Sequence, residues 1–264
     1  MTLFCQRLVR ITLLSLCVVV PCICLAEDKV KLAEGQYGIT QAPKKPANVG
    51  KTMDDWTLWE LPGDLLQAEV KQHWVGQERE KGKIEQTFTF TKKMELVRYE
   101  LNVSGAGEQR KISCSLKPKL ISCFDGTNQS EIAVDKVPYS FVPGEFYGLD
   151  MPWYQTSLIH SETNAKAFET PVYALDDSDS NAKSALHVTT DVPASLKYLG
   201  EEKISVLGKE VNARKYEIPV FHSLVWTAAD NGILLAVQVT DNGARYELTK
   251  FKSYNPSFMS ELAK

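Results

Sequence analysis

From residue 56 onward, apolar and polar residues alternate in short runs. In MELVRYELNV, Val97, Tyr99, Leu101 and Val103 fall on one side, and Arg98, Glu100 and Asn102 on the other. That is the period-two pattern of a half-buried strand. WTLWEL, LLQAEVKQHWV and IEQTFTFT are further β-rich runs, separated by polar or glycine-containing breaks. One stretch departs from this texture. Asp150 to His160 opens on a capping residue, carries Pro152 near its first turn and spaces Trp153, Tyr154, Ser157, Leu158 and His160 helically. It predicts one short amphipathic helix.

The turns predict how the strands pair. Asp-Asn-Gly occurs at Asp230 and again at Asp241. Asn-Gly is a strong signal for a two-residue hairpin, because both central residues take positive φ. Two such turns would place Leu224, Val239 and Tyr246 in one row and Trp226, Val237 and Leu248 in the next. The opposite face would carry Val225, Gln238 and Glu247, then Thr227, Ala236 and Thr249. The duplicated tripeptide therefore reads as a register device for a three-strand meander with one wet face. Gly208-Lys209 predicts another hairpin, with Val206 opposite Val211 and Ile204 opposite Ala213. In ISCSLKPKLISC a turn at Pro118-Lys119 would set Cys114 opposite Cys123, within disulfide reach.

The first residues read as an address. Arg7 and Arg10 precede an apolar run, Ile11 to Leu25, and small residues come before Glu27-Asp28. This is the pattern of a secretory signal peptide cleaved near Ala26. The run is short for a membrane span, which takes about 20 residues, and Pro21 breaks it. Neither Cys22 nor Cys24 follows the small residue that a lipoprotein signal needs. The expected divisions are a signal peptide at 1–26, an extended leader or linker at 27–52 and a single β domain at 53–264. The expected location is periplasmic or secreted. With the signal removed, nothing in the chain reads as an integral membrane segment. Four of the six cysteines lie in the signal, leaving Cys114 and Cys123. An oxidising compartment favours their pairing.

Charge narrows the partners. The net charge is −3, and losing Arg7 and Arg10 would take it to −5. This argues against nucleic acid, whose binding rests on Lys/Arg contacts to phosphate, and no polybasic stretch suits an anionic membrane surface. The four histidines show no short metal-binding spacing. Asp176, Asp177 and Asp179 suggest calcium, yet Ala182 and Val188 stand where the loop motif requires Gly and Glu. The nucleophile elbow, the phosphate loop and the dinucleotide fingerprint are all missing. His222-Ser223 is weak as a hydrolase pair, because neighbours in a strand face opposite ways. Asn102 and Asn128 match the glycosylation pattern, which matters only in a eukaryotic source. No metal, cofactor or catalytic residue is assigned.

Gly208, Val211, Ala213 and Tyr216, then the run from Trp226 to Leu234 (Trp-x-Ala-x-Asp-x-Gly-Ile-Leu), Gly243 and Leu248, resemble the end of bacterial periplasmic families of unknown function. Those families are similar to the outer-membrane lipoprotein carriers (LolA/LolB-like). The resemblance covers residues 203–251. It implies an incomplete, strongly curved antiparallel barrel that binds acyl chains on its concave face, with helices at the opening. Carried over, it places Trp226, Val237 and Leu248 on that face. Trp153 and Tyr154 belong to an aromatic stretch, FVPGEFYGLDMPWYQ, that reads either as core packing of a loop and helix against the sheet or as the lining of an apolar pocket. The first half and the Cys114/Cys123 hairpin are not part of the pattern. The resulting expectation is a mainly β protein, a curved antiparallel sheet or half-barrel with one short helix packed at its opening. It would be non-catalytic and would bind an apolar or lipid-like ligand. The alternatives are an envelope module that meets another protein, and an exported hydrolase with an unrecognised site.

Overall fold

The computed structural model describes residues 29–41, 51–75, 82–93, 95–105, 108–135, 140–142, 167–176, 187–219, 222–230, 232–258 and 262. The first half of the chain forms β1 (Val30–Gln41), β2 (Lys51–Leu61), β3 (Leu65–Val75), β4 (Gly82–Thr91), β5 (Leu96–Gly105), β6 (Glu108–Lys117), β7 (Leu120–Phe124) and β8 (Gln129–Ala133). The second half forms β9 (Ser140–Val142), β10 (Ala167–Asp176), β11 (His187–Val206), β12 (Lys209–Ile218), β13 (Ser223–Ala228), β14 (Leu234–Val239) and β15 (Arg245–Ser253). The signal, the expected helix at 150–160 and the acidic loop at 177–184 lie outside the described residues.

All fifteen strands belong to one sheet, in the order β8-β7-β6-β5-β4-β3-β2-β1-β15-β14-β13-β12-β11-β10-β9. Each half is a meander, and the two join where β1 pairs with β15. Pairing is antiparallel except between β9 and β10, which run parallel. The segment expected as a leader therefore does structural work. Val30–Gln41 is the central strand of the sheet, paired with β2 on one side and β15 on the other.

Among the described residues the sheet does not close on itself, because its end strands β8 and β9 are not hydrogen-bonded to each other. It curls strongly nonetheless. Phe141 of β9 lies 6.0 Å, ring to ring, from Tyr99 of β5, although ten strands separate them in the sheet order. Such a contact requires the face that carries Tyr99 to be the inner one. The β8 end also comes against β11.

Period-two alternation builds the inner wall. Ala33, Leu58, Ala68, Phe88, Tyr99, Cys114 and Cys123 stand opposite one another in turn across seven strands, and all are buried. The next row runs Gly35, Trp56, Val70, Gln86, Leu101 and Ile112. The expected Pro118-Lys119 turn is present, with Lys117 opposite Leu120 and Cys114 opposite Cys123. The two cysteines form a disulfide on this inner face.

The C-terminal hairpins differ from expectation in register. Gly232 and Gly243 do take positive φ, 71° and 73°. The loops, however, are four residues long. Gly232 N–H donates to the Ala228 carbonyl and Gly243 N–H to the Val239 carbonyl, so each Gly closes its loop instead of forming a two-residue turn. The β12 hairpin also turns one residue early, at Leu207 and Gly208, both at positive φ. This pairs Ile204 with Val211.

Candidate functional site

These shifts separate the three expected wall residues. A register change between Trp226 and Thr227 pairs Trp226 with Ala236, and Val225 with Val237. Val237 then faces Tyr246, and Leu248 stands two residues further along that same side. Trp226 lies on the other face. A one-residue slip inverts which residues face inward, and here it turns Leu224 and Trp226 outward and brings Val225 inward, opposite Val237. Val237 and Leu248 belong to the inner side, where Leu248 pairs with Tyr37. All three are buried, at 4, 1 and 2 % exposure. Trp153 and Tyr154 lie outside the described residues.

Trp226 is held by polar neighbours. Its indole N–H donates to Glu202 Oε1 at 2.6 Å. The Lys215 ammonium lies 5.1 Å and the Arg245 guanidinium 4.8 Å from its ring. That hydrogen bond, with the neighbouring cations, holds the Glu202 carboxyl below its ordinary range. The cluster acts as a cation–aromatic clasp across β11, β12, β13 and β15.

His222 and Ser223 stand in different environments. The His222 imidazole is exposed, 3.2 Å from Asp241, whereas Ser223 is buried. Among the described residues, no group of three or more His, Cys, Asp or Glu is placed to hold a metal ion.

The unexpected feature is a third inner row. Tyr37 of β1, Asp54 of β2, Gln72 of β3 and Ile84 of β4 stand opposite one another in turn. Asp54 is 4 % exposed, and no other acidic or basic side chain is buried among the described residues. Its Oδ1 has no hydrogen-bond partner among them, and neither do the amide oxygen and nitrogen of Gln72. Cross-strand neighbours have Cβ atoms about 4.5–5.5 Å apart, so three buried polar atoms without partners among the described residues belong to two directly opposed side chains.

Burial pushes the Asp54 carboxyl up to about 8, and the Asp55 charge adds to the shift. Asp55 lies on the opposite face, where Gln36 donates to it at 2.7 Å. At neutral pH, Asp54 is therefore a protonated acid in an apolar wall. Burial raises the phenols of Tyr37 and Tyr246 above their usual range, and in each the Asp54 charge adds to the effect. Both rings therefore lie within electrostatic reach of the acid.

Aromatic rings complete the surroundings. Tyr37 and Trp56 stack with centroids 5.9 Å apart, and Phe251 lies 6.3 Å beyond Trp56. The Tyr37 hydroxyl reaches over β15 to donate to the Leu234 carbonyl at 2.9 Å. Period-two reading of DDWTL could have found Asp54, because it shares a face with Trp56 and Leu58. Gln72 likewise shares one with Ala68 and Val70.

Neither a protein-family model nor a curated protein matches the chain. Among solved structures, it is similar to a β-barrel-like protein with a domain of unknown function, DUF1849, from Brucella abortus. The likeness has a TM-score of 0.48 at 10 % identity, over 86 % of this chain and 99 % of that one. A DUF1089 family protein from Pseudomonas aeruginosa is similar with a TM-score of 0.42 at 14 % identity, over 74 % of this chain and 93 % of that one.

Proposed function

We propose that the protein is a non-catalytic binding protein of the periplasm or secreted space, holding an apolar or lipid-like ligand on the inner face of its curled sheet. The observation that carries this reading is the make-up of that face. Two long rows, apolar but for Gln86 in the second, lie beside a third row, in which Asp54 and Gln72 present buried polar atoms without partners among the described residues. Burying such a group unpaired costs about 1–3 kcal/mol, a cost that a bound ligand with its own polar end would offset. Ligand sites commonly combine an apolar lining with a few placed polar groups.

The test is mass spectrometry of an organic extract from the protein, purified from its native source without detergent. A reproducible amphiphile near one per chain is the expected result. An empty extract, together with no uptake of added amphiphiles, would sink the reading.

A second reading, a module that meets another envelope protein, rests on the end strand β8. Its outer edge has no strand partner among the described residues, and open edges accept strands from other chains. Recovery of one stoichiometric partner that protects residues 129–133 from hydrogen exchange would favour it.

A further inference from the structure

We propose that the inner face selects amphiphiles whose head group is a primary ammonium, received by the carboxylate of Asp54 and the side-chain carbonyl of Gln72. This rests on the binding reading above and names the ligand's polar end. Three observations carry it. First, Asp54 is buried with an unpartnered oxygen, and the directly opposite Gln72 has an unpartnered amide. Second, the buried residues among those described include no Lys or Arg, so an anionic head would enter this row without a counter-charge from them. Third, the walls are aromatic. Tyr37 lies opposite Asp54, Trp56 stacks on Tyr37, and Phe251 stands beyond. Aromatic faces beside a carboxylate form the environment that attracts a desolvated cation.

The charge balance is simple. The empty site holds a proton on Asp54 near neutrality. An entering ammonium displaces that proton to solvent and leaves a buried ion pair, with the Gln72 carbonyl accepting a second ammonium hydrogen. The groups facing Asp54 are the Tyr37 and Tyr246 phenols, with Asp55 beside it on the same strand. Both phenols titrate higher than Asp54, so the carboxyl sets the response between pH 6 and 8.

The experiment is calorimetric titration of the full mature chain with dodecylamine, dodecanol and dodecanoate, each below micelle formation, at physiological salt. At that ionic strength, exposed charges farther than about 8 Å are screened. The expected result is one site per chain and dodecylamine bound at least about tenfold more tightly than dodecanol at pH 8. Its affinity should rise about fifty-fold from pH 6 to pH 8, as a carboxyl of pKa about 8 requires. Asp54→Asn should lose both the amine preference and its pH dependence.

Equal or tighter binding of dodecanol or dodecanoate overturns the head-group assignment and leaves the apolar-ligand reading standing. Failure of all three probes to bind removes both. If Asp54→Asn does not fold, the probe ranking and pH profile of the unmodified chain still decide.

Discussion

At the level of single residues, Asp54 carries the largest consequence. Its carboxyl keeps a proton up to about pH 8 in the folded chain, whereas the unfolded chain releases it near 3.8. Between those values the folded state holds one more proton, so this residue makes stability fall as pH rises from about 4 to 8. Each tenfold change in the ionisation constant is worth about 1.4 kcal/mol, which brings the full penalty to the order of 5 kcal/mol. Asp54→Asn has similar volume and no such titration. Its urea stability should match the unmodified chain near pH 4 and exceed it by several kcal/mol at pH 8. Parallel stability curves across that range would show that Asp54 ionises freely and is not buried as described. The residue was legible in principle, since alternation alone puts it on the side of Trp56. An acid on an apolar face is easily discounted, however, because a carboxylate without a partner rarely stays buried. Trp226 is the opposite case. Its burial follows from its size, but its face depended on a one-residue register that composition does not encode.

For hairpins, what could be read from sequence depended on how firmly the turn residues fix the loop. Pro118 presets its own φ, and the β6–β7 pairing follows the expected register from Ser113 to Lys117. Asn-Gly leaves more freedom. Gly at the last position of a four-residue loop satisfies the same preference for positive φ as Gly in a two-residue turn, and the two outcomes differ in register by two. That difference alone would preserve the faces. It was the added irregularity between Trp226 and Thr227 that turned Leu224 and Trp226 outward and Val225 inward. The β6–β7 hairpin also offers a clean test. Its disulfide closes a short loop, Cys123 being nine positions after Cys114. Chain-entropy reasoning makes such a link worth about 2–3 kcal/mol. Reduction should lower the unfolding free energy read from urea titration by that amount and leave the far-ultraviolet circular dichroism unchanged, because the ladder pairs through backbone bonds on both sides of the bridge. Loss of strand signal on reduction would instead make the bridge a condition for forming the hairpin.

On the scale of the whole molecule, the sheet is two meanders held together by one strand. β2 to β8 lie on one side of β1, and β15 back to β9 lie on the other. Local alternation made each meander legible. The seam was not, because residues 30–41 mix glycine, glutamine and charge, and their alternation is interrupted by shifts in register against both neighbours. Gly35 is where the seam is tightest. A Cβ there would lie 2.4 Å from the Trp56 ring and 2.7 Å from the Lys250 carbonyl. The ring belongs to one meander and the carbonyl to the other, so neither contact can relax without moving β1 off a neighbour. Gly35→Ala should cost about 1–3 kcal/mol, the usual range for overfilling a packed site. Because β1 joins both halves, the loss should appear in hydrogen exchange as faster exchange in β2 and β15 together, spreading outward along each meander. If only β1 and its immediate contacts exchange faster while both meanders keep their protection, the halves are stable apart. The inner face would then be a cleft between two folding units, and a ligand that spans β1 would stabilise the joint more than either half.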